Sequence, residues 1–305
     1  MNDQQCTQLR TQIAKLDSIS TAPVVLQPLL AMMRSPADDI RVEKVVELVS
    51  RDSAIAAQCL RMANSPLFGR RAVETVRGAV MTLGIDRVRS TLFGLCMNRT
   101  IPTDKWVLDA NAFWRHSLGC ALVAETMARA IGYPEPEKAY LAGLLHDLGF
   151  LVVSVLETAK FRECLEQAAA HRCALHVSEQ PILGYTHAEA GSILCEHWSF
   201  SRDLTDAAGL HHQTDQLATA GPLVCLVHLS DLLCRVRNLG YGYDEILAVA
   251  LAEEAAWSHL VASYPALADM DLVRFTLDID GSMDQIAALV DSVFVPSKAV
   301  GALPV

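Results

Sequence analysis

The sequence predicts an all-α protein, and three observations carry that expectation. Apolar residues recur at steps of three and four along most of the 305 residues, period-two alternation is hard to find, and the apolar runs are interrupted by helix stop and start signals. Two packed helical regions are expected. The polar, proline-bearing stretch Thr100-Ile101-Pro102-Thr103-Asp104 separates them, giving an N-terminal region at 1–104, a second region at 105–238 and a C-terminal helical extension at 239–305. No internal repeat or low-complexity segment is evident.

The elements follow in order. Val45, Val46, Val49, Ala54, Ile55, Leu60 and Met62 are helically spaced around the polar break Ser50-Arg51-Asp52-Ser53, so Val42 to Ala63 reads as two short helices, with Asp52 or Ser53 capping the second. Asn64-Ser65-Pro66 ends it, because the residue before a proline is pushed out of the helical region. A helix at Val73 to Thr82 stops at Gly84, and Asp86 starts the next, leading into Val88 to Asn98. Beyond residue 104, helices are expected at about Ala110 to Ile131, Glu137 to Leu148, Lys160 to His171, His187 to Trp198, Asp203 to His212 and Leu223 to Leu233. The last seventy residues continue as helices around a turn at Gly240-Tyr241-Gly242-Tyr243-Asp244, and Gly281-Ser282 starts a final helix through Phe294.

Composition narrows the function. Hydrophobic residues make up 51% of the chain and charged residues 20%, enough apolar material for one or two packed cores. Net charge is −10, and no run of Lys and Arg is interleaved with aromatics, which argues against direct nucleic-acid binding. Nine cysteines lie far apart, never as C-x-x-C, and read as small buried hydrophobes. With no signal-peptide core in Met1 to Gln12, they point to a reducing cytoplasm. No apolar stretch is expected to approach ~18 residues, so no membrane span is expected.

Seven residues carry the chemistry: His116, His146, Asp147, His187, His211, His212 and Asp231. Imidazole and carboxylate donors with no thiolate at any matching position suit iron or manganese before structural zinc. Seven donors with a carboxylate able to bridge read as a binuclear centre. Phe113, His116, Cys120, Val123, Met127 and Ile131 share one helical stripe, which places His116 in the apolar face. Asp231 shares a stripe with Val224 and Val227, and a buried carboxylate without a counter-charge would be a liability, so a site that binds nothing is disfavoured. Adjacent helical residues diverge by about 100°, so the doublets His146-Asp147 and His211-His212 converge most easily near helix ends. His171, His176, His197, His228 and His259 lack such partners and read as surface or helix-flank residues.

Leu144-Leu145-His146-Asp147-Leu148-Gly149 resembles the His-Asp doublet of the HD superfamily of metal-dependent phosphohydrolases. Trp114-Arg115-His116-Ser117 upstream and Asp231 downstream match its first and last ligands. From about Pro23 to Asp231 the chain is similar, more specifically, to the HDOD family of bacterial signalling proteins. Arg51-Asp52-Ser53-Ala54, Leu60-Arg61-Met62-Ala63-Asn64-Ser65, Leu83-Gly84, His187-Ala188-Glu189-Ala190-Gly191, Trp198 and His211-His212 carry that likeness. The resemblance implies an HD-type helical bundle around two transition-metal ions, iron first and manganese as the alternative. By analogy with the HD-GYP phosphodiesterases, His116, His146, Asp147 and Asp231 would hold one metal, and Asp147, His187, His211 and His212 the other.

Two departures bear on activity. Phe150 stands where catalytic HD-GYP proteins carry a lysine, and Gln213 to Gly221 replaces their GYP loop. The resemblance therefore implies a signalling module with a protein partner ahead of a phosphohydrolase acting on a nucleotide or cyclic dinucleotide. Arg115, Lys138 and Lys160 are the nearby cations that could hold phosphate in the second case.

Overall fold

The computed structural model describes residues 1, 3–16, 26–35, 39–68, 72–100, 106–213, 216, 220–265, 267 and 271–294. Among these residues the regular structure is helical, without strands. The first group of helices is α1 (Asp3–Leu16), α2 (Leu26–Met33), α3 (Val42–Ser50), α4 (Ser53–Ala63), α5 (Val76–Leu83) and α6 (Ile85–Thr100). The second is α7 (Ala110–Ile131), α8 (Pro136–Leu145), α9 (Gly149–Leu156), α10 (Thr158–His171), α11 (Leu175–Leu183), α12 (His187–His197), α13 (Arg202–Leu210) and α14 (Pro222–Val236). A turn of 3-10 helix at Leu251–Glu253, α15 (Ala255–Ser263) and α16 (Leu272–Phe294) complete the chain.

Local chemistry explains the boundaries. Asp52 accepts from the Ile55 N–H at 3.1 Å and starts α4, as its place in the polar break predicts. Gly84 stops α5 in a positive-φ conformation at +83°, which a side chain would resist. Asp109 caps α7 by accepting from the Ala112 N–H at 2.7 Å, and left-handed Gly132 closes it after Ile131. The start of α12 is a capping box between Thr186 and Glu189.

Several boundaries differ from expectation. The expected helix Glu137 to Leu148 ends at Leu145, and a turn at 146–148 separates it from α9. Likewise α13 ends at Leu210, so both doublets lie just past a helix C-terminus. The last helix begins at Leu272, with Gly281 in its interior where Gly281-Ser282 had suggested a start. The region boundary expected around 104 falls on residues 101–105, which lie outside the described residues.

The described residues share one continuous apolar core running from Leu9 to Leu289. At its centre α7 packs against α8, α14 and α16, while α12 packs against α9 and α13. The α7–α8 crossing is close because Gly143 has no side chain: a Cβ there would stand 2.7 Å from the Cys120 carbonyl oxygen. Helix α16 also packs on α4, so it contacts both groups of helices. The cysteines are free, and Cys59, Cys96, Cys120, Cys164, Cys195, Cys225 and Cys234 are buried as expected. One expectation is corrected. Pro136–Leu156, 21 residues long, is apolar enough to cross a membrane by length and composition, but most of it is buried inside the helical core.

Candidate metal centre

The turn after α8 brings His146 and Asp147 to the middle of the molecule, and the other five expected donors come to them. His116 arrives from α7, His187 from the first turn of α12, His211 and His212 from the end of α13, and Asp231 from α14. Six of the seven side chains are 0% exposed, and His212 is 9% exposed.

Asp147 is the hub. Its Oδ2 lies 3.3 Å from Nε2 of His116 and 3.1 Å from Nε2 of His146. Its Oδ1 lies 3.2 Å from Nε2 of His187 and 3.5 Å from Nε2 of His211. Asp231 reaches His116 Nε2 through Oδ1 at 3.3 Å and His212 Nδ1 through Oδ2 at 3.7 Å. One group of atoms on Asp147, His187, His211 and His212, and a second on His116, His146 and Cys120, are each close enough to share an ion.

The other ring nitrogens decide which way these imidazoles face. His116 Nδ1 is 2.6 Å from the Leu239 carbonyl, His146 Nδ1 is 2.7 Å from the Gly143 carbonyl, and His211 Nδ1 is 2.9 Å from the Ala208 carbonyl. A carbonyl can only accept, so each Nδ1 carries a proton and Nε2 is the nitrogen turned toward Asp147. His187 obeys the same logic, with Nδ1 donating to Glu179 at 2.8 Å. Among the described residues, Asp147 Oδ1, His187 Nε2 and His211 Nε2 are buried without a hydrogen-bond partner. In a dry interior these atoms call for positive charge between them, whether protons or a cation, and the nitrogen and oxygen set fits a transition metal.

The electrostatics of the bare protein agree. Burial alone would lower the pKa of His116, but Asp147 and Asp231 outweigh it and raise the ring to about 10. Burial is likewise outweighed at His187, where Glu179 and Asp147 lift it to about 10. His211 is pushed down to about 4, chiefly by burial. Against the penalty of burial, neighbouring imidazoles hold Asp147 well below the ordinary carboxylate range, and Arg235 with His116 does so for Asp231. The cluster thus demands positive charge, supplied by protons when no metal is bound.

Four neighbours went unnoticed in the sequence. Arg235, one turn after Asp231 on α14, donates from Nε and Nη2 to its two oxygens at 2.9 and 2.8 Å, and from Nη1 to Glu245 at 2.5 Å. Asp231 therefore has the counter-charge that the sequence reading denied it, and its i,i+4 spacing to Arg235 was the available signal. Tyr241, in the turn after α14, places its hydroxyl 2.5 Å from Asp147 Oδ2 and 3.1 Å from His116 Nε2. Glu179, in α11, is the acceptor for His187. His176 stacks on His212 with ring centroids 4.1 Å apart. The expected surface character of His228 is also corrected: it is buried and its Nδ1 lies 2.7 Å from the His211 carbonyl oxygen.

The wall beside the hub is aromatic. Phe150 is fully buried and stacks on His187 at 3.8 Å and 23°. Lys138 pairs with Asp203 at 2.5 Å and Lys160 with Glu157 at 3.2 Å.

The family model for the HDOD domain matches residues 19–214. An HDOD domain protein of unknown function from Geobacter sulfurreducens is similar at 25% identity and TM-score 0.77, covering 95% of this chain and 99% of that one. Two further solved structures share the fold. A candidate phosphohydrolase from Shewanella amazonensis SB2B has 22% identity and TM-score 0.68, covering 92% and 97% of the two chains. A candidate signal transduction protein from Marinobacter aquaeolei VT8 has 23% identity and TM-score 0.70, covering 94% of this chain and 65% of that one. An uncharacterised protein from Treponema pallidum (strain Nichols) is 24% identical over 248 residues, and the chain spans about half of that relative's length, 47%.

Proposed function

The chain belongs to the HDOD family, and from that premise we propose that it is a bacterial signalling protein whose buried His/Asp centre holds two transition-metal ions and whose surface binds a protein partner in the cytoplasm. The single observation that carries this reading is enclosure. Six donors are 0% exposed, and the position beside the His-Asp turn is filled by the ring of Phe150. A centre so enclosed is suited to fixing the mutual positions of α7, α8, α12, α13 and α14, through which partner binding would be coupled to metal occupancy or redox state. Iron suits the mixed imidazole and carboxylate set, with manganese as the alternative.

A second reading, a phosphohydrolase acting on a nucleotide or cyclic dinucleotide, is favoured by the convergence of four histidines on Asp147, with Asp231 and His212 joined to them through His116. Bound metals would there supply Lewis acidity and a lowered water pKa. Phe150 in the wall, and Lys138 and Lys160 paired with carboxylates, weigh against phosphate binding.

Elemental analysis of chain purified without chelator or histidine tag tests the centre. About two equivalents of iron or manganese per chain support it, and none in a folded protein overturns it. His146→Ala with Asp147→Ala tests the coupling: unchanged folding and partner binding would remove the metal from the function. Turnover of nucleotide substrates by the loaded protein would promote the second reading.

A further inference from the structure

Two atoms of the segment after α14 address the two nitrogens of one imidazole. The Leu239 carbonyl takes the Nδ1 proton of His116, and the Tyr241 hydroxyl, two residues on, meets Nε2 at 3.1 Å. The same hydroxyl is 2.5 Å from Asp147 Oδ2. We propose that Tyr241 is itself a metal ligand, its phenolate oxygen joining His116, His146 and Asp147 in the place that family resemblance gives to Asp231. The assignment rests on the metal centre proposed above.

Distances support it. Donors about 2.0–2.2 Å from one ion lie roughly 3.0–3.5 Å from one another. His116 Nε2 to His146 Nε2 is 3.3 Å, His116 Nε2 to Asp147 Oδ2 is 3.3 Å, His146 Nε2 to Asp147 Oδ2 is 3.1 Å, and His116 Nε2 to Tyr241 Oη is 3.1 Å. The single shorter separation, Tyr241 to Asp147, is that of a phenol donating to a carboxylate.

The phenol has one proton, and it lies on the short contact to Asp147. When the oxygen-to-metal bond forms, the O–H bond breaks and the proton passes to solvent.

The rival donors differ in their partners or their direction. Asp231 Oδ1 also stands 3.3 Å from His116 Nε2, but Arg235 donates to both oxygens of that carboxylate. Cys120 Sγ is 3.5 Å from Nε2 of His116 and 3.9 Å from Nδ1, so it lies along the ring and off the Nε2 lone-pair axis. Tyr241 needs only its short contact with Asp147 to open. It is 6% exposed, with its ring 4.7 Å from His116 and edge-on to Phe150 at 5.1 Å. A phenolate is a hard anionic oxygen, so the ion it would select is ferric iron ahead of zinc.

The test loads the full chain with ferric iron and measures bound iron, visible absorption and resonance Raman scattering together. Wild-type protein is expected to show a phenolate-to-iron charge-transfer band with tyrosine ring modes enhanced under it. Tyr241→Phe is expected to lose both while still binding iron, and Tyr243→Phe to keep both. Bound iron without the band, or a band that survives in Tyr241→Phe, overturns the assignment alone. A folded chain that takes up no iron overturns the assignment and the metal centre together. Should Tyr241→Phe fail to fold, wild-type and Tyr243→Phe protein carrying ring-deuterated tyrosine decide it, since iron-linked modes that do not shift on labelling overturn the assignment.

Discussion

Glu179 accepts two hydrogen bonds from His187, one from the main-chain N–H at 2.7 Å and one from Nδ1 at 2.8 Å. A single carboxylate therefore fixes where α12 begins and which nitrogen its first residue turns toward Asp147. Glu179→Gln keeps the size but loses the charge and one acceptor. The expected result is metal affinity lower by about 10–100-fold with the fold intact, read by competition with a chelator.

Arg235 neutralises Asp231 inside the core. Replacing it by Met removes the guanidinium from both oxygens of that carboxylate, and breaking a buried pair in this way costs about 3–5 kcal/mol. Denaturant unfolding of Arg235→Met in chelator is expected to show that loss, and metal loading is expected to restore more stability to the variant than it adds to wild type.

Metal-free protein should have a stability maximum near pH 6.5. His116 and His187 have folded pKa values of about 10, above their ordinary 6.5, so their contribution is whole below 6.5 and is lost as pH rises through 10. His211 works oppositely: its folded value of about 4 means that the unfolded chain takes up a proton the native state refuses as pH falls below 6.5. Asp147 and Asp231, held low, add further loss as pH falls below the ordinary carboxylate value of 3.8 toward their lower folded values. Thermal melts from pH 5 to 10 check this. The alkaline limb should vanish in loaded protein, where metal replaces the protons.

A Cβ on Gly149 would overlap the main-chain carbonyl of His187, because α9 starts directly against α12. Gly149→Ala is expected to cost about 1–3 kcal/mol or more through overpacking and to weaken metal binding by displacing His187. Gly281→Ala is the control of opposite sign. It is exposed inside α16 with nothing near its would-be Cβ, so it should stabilise the protein by about 0.8–1.0 kcal/mol.

Phe150→Ala removes a buried ring stacked on both His187 and Phe161. Chemical denaturation should show a loss of about 3–5 kcal/mol.

The clustering of the seven residues was legible in part: His116 and Asp231 sit in apolar stripes where an unpaired polar group is anomalous, the doublets carry the family resemblance, and α7 spans the expected Ala110 to Ile131. The doublets were expected near helix ends and lie just beyond them. Helix α11 was hidden by Pro181 in its interior, and the start of α16 by Gly281. Glu179 and Tyr241 carry no local signal. They meet the site only through the tertiary arrangement, 8 residues from His187 and 125 from His116 respectively.

The segment that follows α14 lies just past the expected region boundary at 238, yet it supplies an acceptor to His116 and a donor to Asp147. The rim of the module is thus wired into its middle. A truncation there would not trim an appendage but would unseat the ring that anchors α7, and a pull transmitted along this stretch of backbone would reach His116 and Asp147 through one hydrogen bond each.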